Sequence, residues 1–144
     1  MQEVGKVLKL FISIKGLDKR TKRELLEVDK HGILEDKFYA KDIQRSILLS
    51  SNDSYILTQD NNITLSYGEL GENILMDFNP YSLDVGTKLQ IGEVILEITQ
   101  ACTICNHLSK IDRKLPKLLK EDRGIFAKVV KDGTIHQDST IFMI

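Results

Sequence analysis

Two cysteines are the residues best suited to do chemistry in this chain of 144 residues. Cys102 and Cys105 stand three positions apart, between a strand-like segment at residues 94–99 and a segment that favours a helix from about residue 106. The free N–H groups and partial positive charge of a helix N-terminus lower the pKa of a thiol and favour the thiolate. His107 and Lys110 would add to that effect if they faced the sulfur. The pair therefore predicts a reactive thiol at a strand-to-helix corner.

The spacing of the two thiols leaves four interpretations open. A zinc knuckle would add His107 and a distant His31 or His136, although the usual pattern has two paired motifs and this chain has one. A redox dithiol would form a disulfide during turnover, without the βαβ unit of a thioredoxin. Two small buried hydrophobic side chains are the third interpretation. The fourth is a single key thiolate that holds a soft metal or carries sulfur, with its neighbour as helper.

Composition and charge exclude several other classes of protein. The chain is 28% charged and 42% hydrophobic, and its 20 basic and 21 acidic residues leave a net charge of -1, which argues against a nucleic-acid-binding module. No apolar run approaches the roughly 18 residues of a membrane span, and residues 1–6 lack the features of a signal peptide. Two neighbouring cysteines cannot brace a secreted scaffold. We expect one cytoplasmic domain over residues 1–144.

Short, β-rich segments with period-2 alternation dominate the chain and predict a mostly β protein, a closed barrel or a sandwich. Gly92-Glu93 and Asp132-Gly133 each predict a tight hairpin. Helices are expected only at residues 51–59, capped by Ser51, Asn52 or Asp53, and at residues 106–120, interrupted by Pro116. The predicted strands are residues 8–14, 25–28, 46–49, 63–65, 89–91, 94–99, 125–130 and 140–144.

Charge is unevenly distributed along the chain. Residues 1–45 carry 11 basic and 8 acidic side chains, residues 46–100 carry 1 and 8, and residues 101–144 carry 8 and 5. If the terminal strands meet, as they do in a closed barrel, basic clusters at residues 19–23 and 113–123 would form one positive face suited to a phosphorylated ligand.

Several short motifs, in a shared order, resemble the MOSC domain, which is named after the C-terminus of molybdenum cofactor sulfurases. The resemblance extends over nearly the whole chain and includes Cys105. The other motifs that carry it are His31-Gly32-Ile33-Leu34-Glu35-Asp36, Arg45-Ser46-Ile47-Leu48-Leu49, Gly71-Glu72-Asn73-Ile74, residues 86–92, Glu97-Ile98-Thr99, residues 123–129 and residues 132–135.

The resemblance implies a closed β-barrel-like fold with a few short helices, and binding of the molybdenum cofactor or handling of its sulfur. By position, Cys105 would be the molybdenum ligand or the sulfur-carrying residue, and Cys102 would protect or resolve its sulfur. Because the cofactor is a pterin with a phosphate, Arg45, Arg123 and Asn73 are expected to bind it.

Lys19, Arg20 and Arg113 are further candidates to bind the cofactor. Each main candidate has a structural alternative. Asn73 would only shape its turn, and Arg45 would pair with Asp36 or Asp42. Arg123 would pair with its acidic neighbours at positions 121 and 122.

Three positions depart from the family pattern. Glu35 and Gln137 stand where glycine is usual before Asp36 and Asp138, and glycine there would allow a positive φ. Ile104 replaces the commoner proline before the family cysteine. The extra Cys102 resembles short stand-alone members more than the large reductases. A chain of 144 residues has no room for a PLP-binding desulfurase domain, and we do not expect the reductases' N-terminal barrel in it either.

The leading hypothesis is therefore a small MOSC protein that serves sulfuration, storage or delivery of the molybdenum cofactor. Its sulfur would come from a partner, either a separate PLP-dependent cysteine desulfurase or a cofactor biosynthesis protein, and no nucleic acid or membrane partner is expected. One alternative is a molybdenum-dependent reductase of N-hydroxylated compounds that needs partner electron donors. The other is a non-catalytic scaffold with a structural metal site.

Overall fold

The computed structural model describes residues 1–102, the backbone of residues 106 and 107, and residues 108–144. Its helices are α1 (Asn52–Asp60), α2 (Asn106–Ile111) and α3 (Leu115–Leu118), with a 3-10 turn at Ile43–Arg45. Its strands are β1 (Gln2–Ile12), β2 (Thr21–Arg23), β3 (Leu25–Asp29), β4 (Gly32–Ile33), β5 (Ile47–Ser51), β6 (Ile74–Met76), β7 (Lys88–Ile91), β8 (Val94–Ala101), β9 (Ile125–Lys131), β10 (Gly133–His136) and β11 (Thr140–Met143).

Seven of the strands close into a barrel in the order β1-β11-β7-β8-β9-β5-β6 and back to β1. The β5–β6 pair is parallel and the others are antiparallel, so the barrel is mixed. The first and last strands meet, with Gln2 opposite Met143, and β2 pairs with the far end of β1. The predicted fold class, a mostly β closed barrel with few short helices, is confirmed.

Alternate side chains of the strands fill the barrel. Ile47 and Leu49 of β5 and Ala127 of β9 belong to the main core cluster, and all three are fully buried. Because neighbouring side chains on a pleated strand point to opposite faces, Leu48 and Phe126 lie on the outside of the same two strands. They are nevertheless nearly buried, at 5% and 9% exposure, so another layer of the protein covers them.

The second sheet contains β10, β3 and β4, and it packs on the barrel core through Leu26, Val28 and Ile135. The prediction of a tight hairpin at Asp132-Gly133 is wrong, because β10 pairs with β3 and not with β9. The turn residues signal a change of direction, but burial of Ile135, which is fully enclosed, decides the partner. The chain therefore passes at this point from the barrel to the small sheet.

The predicted turn at Gly92-Glu93 is confirmed, whereas the predicted strand at residues 63–65 is wrong. Gly92, with φ +61°, and Glu93 join β7 to β8 with Ile91 opposite Val94, so this hairpin is confirmed. The strand predicted at residues 63–65 is wrong. Ile63 packs among helical residues, and its N–H donates to Thr58 O at 2.9 Å, so its apolar side chain anchors a loop. The predictions also omitted the short strands β2, β4, β6 and β10.

The helices follow the predicted signals. Ser51 caps α1, because its hydroxyl accepts from the N–H of Asp53 at 3.0 Å. The segment interrupted by Pro116 divides into α2 and α3, with the proline in the first turn of α3, where it displaces no helical hydrogen bond. No helix in the described residues has both the length and the apolar character needed to cross a bilayer.

Glu35 and Gln137, which stand where the family usually has glycine, differ in their backbone φ. Glu35 adopts φ +71°, the conformation that glycine would favour, and its carboxylate binds Arg23 at 2.6 Å. At the second place the positive φ belongs to Asp138, at +69°, rather than to Gln137. Asp tolerates this conformation better than most side chains, so the turn forms without glycine.

Candidate functional site

The outer face of the β5–β9 pair forms the floor of a cavity of about 260 Å³, which we call the inner cleft. Leu48 and Phe126 are opposite each other in the antiparallel ladder, so they lie on the same face of the sheet. Cys102 packs with them in a small cluster whose members are between 5% and 9% exposed. The floor therefore offers an apolar surface and one thiol.

The main chain determines where Cys102 lies. Its N–H donates to Gly124 O at 3.1 Å, directly after the β8–β9 ladder, in which Gln100 is opposite Phe126. The end of β8 is thereby carried onto the floor of the inner cleft. Cys105 lies outside the described residues, so its predicted role stays a prediction.

Arg45 and Arg123 reach the inner cleft from different sides. Arg45 ends the 3-10 turn before β5, and Arg123 comes just before β9; because the two strands are antiparallel, their first residues lie at opposite ends of the pair. The Arg45 guanidinium lies over the Phe126 ring at 4.7 Å, a cation–π distance. Arg123 is 8% exposed, and its Nε donates to Leu70 O at 3.3 Å.

Arg20 and Arg123 converge beside Gly71. Their Nη2 atoms lie 3.5 and 3.6 Å from the position that a Cβ on Gly71 would occupy. Gly71 has φ +89°, a conformation that glycine adopts readily and other residues rarely do. A Cβ would be in van der Waals contact with both groups, so it is the positive φ that favours glycine here, and the two guanidinium groups approach the same point of the backbone.

Asp36 organises the surroundings of Arg20 without pairing with it. Its buried carboxylate accepts from the N–H of Ser13 at 2.7 Å and from the N–H of Phe38 at 3.0 Å. Arg20 donates to the Ser13 hydroxyl, and its guanidinium lies 5.6 Å from the centre of the Phe38 ring. Neutral and aromatic groups therefore hold Arg20 in place.

In the part of the chain that the structure describes, no carboxylate forms an ion pair with Arg20, Arg45 or Arg123. The ion pairs found there join Arg23 to Glu35 and Lys128 to Glu97, so the alternative pairings considered for Arg45 and Arg123 do not form. Arg45 Nε is buried and donates to no partner among the described residues. Unpaired cations around an apolar floor are suited to bind an anion.

The electrostatics of Arg20 are consistent with this crowding of positive charge. Burial lowers the pKa of Arg20, and the nearby charge of Arg123 lowers it further, while Asp36 and Glu72 oppose both effects. Arginine side chains stay protonated in proteins, so Arg20 adds a positive charge to the cleft. A bound anion would offset the loss of solvent around it.

Glu72 is a buried carboxyl group next to the cleft wall. Its Oε2 accepts from the Tyr55 hydroxyl at 2.6 Å and from the N–H of Gly68 at 3.1 Å, and Oε1 has no partner among the described residues. The Tyr55 hydroxyl also accepts from the N–H groups of Gly68 and Leu70. Burial raises the pKa of Glu72, partly opposed by these hydrogen bonds. The Tyr55–Glu72 pair thereby secures the loop of residues 68–73.

The structure describes four of the predicted site residues, and these four lie together. Arg45, Asn73, Cys102 and Arg123 all line the inner cleft. Asn73 is committed to the backbone there: its Oδ1 accepts from the N–H of Leu48 at 2.9 Å, and its Nδ2 donates to Phe11 O at 3.2 Å. Asn73 therefore joins β5 to β1 and forms part of the wall.

A second cavity of about 520 Å³, which we call the outer cleft, adjoins the inner cleft. Of the further candidates, Arg20 lines both clefts, Lys19 lines the outer cleft, and Arg113 lines neither. The residues that the two clefts share are Arg20, Phe38, Gly71 and Arg123.

Sequence reasoning missed the apolar floor and the buried carboxyl. The floor could have been predicted, because the uninterrupted apolar runs around Leu48 and Phe126 are typical of strands that are covered on both faces. Nothing local distinguishes Glu72 from an exposed glutamate, because its burial depends on Tyr55 of α1. In the described residues, no group of three or more His, Cys, Asp or Glu side chains is arranged to hold a metal ion.

Comparison with known families and sequences gives one match. The model of the MOSC domain matches residues 31–142 of the chain. No curated protein sequence matches it.

Solved structures resemble the chain in fold at low sequence identity. YuaD from Bacillus subtilis is 15% identical with a TM-score of 0.84, and the match covers 96% of this chain and 94% of that one. YiiM from Escherichia coli is 13% identical with a TM-score of 0.73, covering 96% and 69%. YiiM from Geobacillus stearothermophilus is 15% identical with a TM-score of 0.72, covering 99% and 74%. These likenesses concern the fold alone.

Proposed function

The chain belongs to the MOSC domain family, which is associated with the molybdenum cofactor, and on this premise we propose that it binds that cofactor or a precursor in the inner cleft. We further propose that it handles the cofactor's sulfur through Cys105, for sulfuration, storage or delivery. The observation that carries the proposal is the convergence of Arg20, Arg45 and Arg123, without carboxylate partners in the described residues, on an apolar floor that holds a thiol.

The charged groups fit the phosphate of such a ligand. Guanidinium groups bind phosphate oxygens through paired N–H donors, and these hydrogen bonds are stronger when the site is shielded from water. Arg123 is 8% exposed, and Arg45 has a buried Nε without a partner among the described residues, so both have donor capacity in a desolvated setting. Arg20 and Arg123 together would hold the phosphate beside Gly71.

The floor fits the planar, less polar part of such a ligand. Leu48 and Phe126 would exclude water from one face of a ring system, and Arg45 would remain stacked over Phe126. When bound, the cofactor supplies a molybdenum centre, for which a thiolate is a suitable ligand. The residues of the chain would bind and orient it and keep solvent from the floor.

The sulfur-handling part of the proposal depends on the two thiols. The Cys105 thiolate would attack the outer sulfur of a partner's persulfide, so that the partner's S–S bond breaks, its thiolate leaves and Cys105 becomes the persulfide. Attack of the Cys102 thiolate on the inner sulfur would then release hydrosulfide and leave a disulfide. Support for Cys105 comes from its place in the family motif, and support for Cys102 from its position on the floor.

Cofactor content of the purified protein tests the proposal. Protein from a host that makes the cofactor should contain pterin and molybdenum, and intact-mass measurement should show a sulfur adduct that Cys105→Ser removes. Arg45→Gln or Arg123→Gln should lower pterin content about tenfold or more, since a charge-assisted hydrogen bond contributes about 1.5–3 kcal/mol. Arg113→Gln is the matched control, because Arg113 lines neither cleft.

Other results would contradict the proposal. Absence of pterin, molybdenum and persulfide, with Cys105→Ser equal to the unchanged protein, would eliminate it. One equivalent of zinc, retained from hosts with and without the cofactor pathway, would favour a scaffold with a structural metal site. Turnover of N-hydroxylated compounds by loaded protein with an electron donor would favour the reductase.

A further inference from the structure

The two clefts meet at their cations. Arg20, Phe38, Gly71 and Arg123 line both the inner cleft of about 260 Å³ and the outer cleft of about 520 Å³. The two Nη2 atoms that approach Gly71 therefore belong to side chains that border both cavities, and we call this place the junction. A phosphate group bound by both guanidinium groups would lie next to both cavities.

A phosphate at a junction can carry more substituents than a phosphate at the end of a pocket. At the end of a pocket only one oxygen carries a substituent, and the others face the protein. At the junction of these clefts, a substituent has room in the inner cleft and a second one has room in the outer cleft. The position of Arg20 and Arg123 thus favours a ligand whose phosphate lies within the molecule.

The lining of the outer cleft indicates what the second substituent is. Phe38 and Tyr67 are each 46% exposed, although both are large aromatic side chains. The Tyr67 ring is held edge-on against Tyr55 at 4.9 Å, so it keeps its orientation. Exposed rings beside cations are typical of sites that stack a nucleobase.

The charges of the outer cleft favour a ligand that carries negative charge close to it. Lys19 and Lys37 line it in addition to the two arginines, against Asp18 and Glu69. Lys37 Nζ lies 5.1 Å from the centre of the Phe38 ring, so a cation and an aromatic face stand side by side. A nucleotide combines the two groups that this lining would recognise, a phosphate and a planar base.

We propose that the junction binds the diphosphate of a two-armed ligand, with one arm in the inner cleft and a nucleoside in the outer cleft. The inference deepens the proposed function, since it makes the preferred ligand a nucleotide-bearing form of the anion that the inner cleft holds. Arg20 and Arg123 bind the diphosphate, Lys19 and Lys37 add positive charge, and Phe38 and Tyr67 contact the base.

Titration calorimetry with three simple probes tests this inference on the purified chain. ADP should bind about tenfold or more tightly than inorganic pyrophosphate, because stacking of a base contributes about 1–3 kcal/mol. Diadenosine 5′,5″-diphosphate should bind within about tenfold of ADP, although it has one charge fewer. A site for a terminal phosphate would instead exclude the second arm.

Substitutions of Tyr67 and Phe38 in the outer cleft test the contact with the base separately from the phosphate site. Tyr67→Ala should lower ADP affinity about tenfold and leave pyrophosphate affinity unchanged, whereas Tyr67→Phe should retain both. Should Tyr67→Ala unfold, Phe38→Leu tests the same contact from the other side of the cleft. Loss of pyrophosphate binding in a folded Tyr67→Ala protein would overturn the inference, because the residue would then act on the phosphate site itself.

Two results separate this inference from the proposed function. If ADP binds no more tightly than pyrophosphate, or if the two-armed probe fails to bind, the inference is wrong even when the purified protein contains pterin and molybdenum. If ADP and the two-armed probe bind as expected, but pterin, molybdenum and persulfide are all absent and Cys105→Ser equals the unchanged protein, the proposed function is wrong and the nucleotide site stands.

Discussion

Tyr55 donates a hydrogen bond of 2.6 Å to Glu72, and this bond joins α1 to the loop that forms one wall of the inner cleft. Glu72 is fully buried and Tyr55 is 6% exposed. Burial raises the pKa of both groups, and proximity to Glu72 adds to the shift at Tyr55. Burial therefore disfavours the charged form of each group, which makes the pair sensitive to pH.

Glu72→Gln should remove a pH dependence of stability. Because the pKa of Glu72 is raised in the folded state, its stabilising contribution is complete below its ordinary pKa and is lost as pH rises through the folded-state pKa. The loss is at most about 1.4 kcal/mol per pH unit. The glutamine protein should therefore gain stability relative to the unchanged protein as the pH rises above the ordinary pKa of glutamate, as measured by urea unfolding.

The control for this experiment is Glu121→Gln, which changes an exposed carboxylate. Its unfolding free energy should follow that of the unchanged protein at every pH. Equal pH dependence in all three proteins would show that Glu72 does not titrate differently on folding.

Tyr55→Phe should destabilise the fold by about 1–3 kcal/mol. The hydroxyl accepts from the N–H groups of Gly68 and Leu70 and donates to Glu72, so its removal leaves buried polar groups unsatisfied. Urea unfolding measures the loss, and Tyr67→Phe, on a ring that is 46% exposed, should change stability little. A similar small effect from both substitutions would contradict the role given to Tyr55.

Gly71→Ala should weaken anion binding in addition to straining the backbone. Gly71 and Gly16 both have φ +89°, but a Cβ at Gly16 meets open space, whereas a Cβ at Gly71 meets Arg20 and Arg123. Each alanine should cost about 1–2 kcal/mol of stability. Only Gly71→Ala should reduce pyrophosphate affinity by several-fold in calorimetry, and an equal reduction by Gly16→Ala would argue against the junction site.

Asn73→Asp should destabilise the barrel by about 1–3 kcal/mol. The aspartate would still accept from the N–H of Leu48, but it would present an oxygen to the carbonyl oxygen of Phe11. Asn62→Asp is the matched control, since Asn62 is exposed and Asp tolerates its φ of +63°. Thermal unfolding measures the stability, and an unchanged stability of the Asn73 variant would contradict the structural role given to Asn73.

Prediction from the sequence succeeded where the signal was local. The alternation in β8, the glycine at position 92 and the hydroxyl of Ser51 act on their own neighbours, and each led to the observed element. Arg45 and Arg123 were predicted as site residues because the family motifs carry them, and that role stays a prediction. The structure adds that they share one cleft.

Prediction failed where a distant partner decides the outcome. Ile63 resembles a strand residue, but the helices pack around it, and Gly133 begins a strand whose partner is β3 rather than β9. The junction of the two clefts depends on Arg20, Gly71 and Arg123 meeting from three separate segments. The basic clusters at residues 19–23 and 113–123 predicted one positive face, and Arg20 and Arg123 do lie together. Nothing along the chain placed Gly71 between them, because that contact arises only once the barrel has formed.

The pairing of β1 with β11 has a consequence for how the chain folds. Lys6 must find Thr140, and the entropy lost in closing so long a loop makes such non-local pairing slow. Without this pair, β1 and β11 would be the two edges of an open sheet and would expose unpaired N–H and C=O groups. Such edges invite pairing with another chain, and ring closure removes them. Closure is therefore the step after which the barrel strands can no longer join those of a neighbouring molecule.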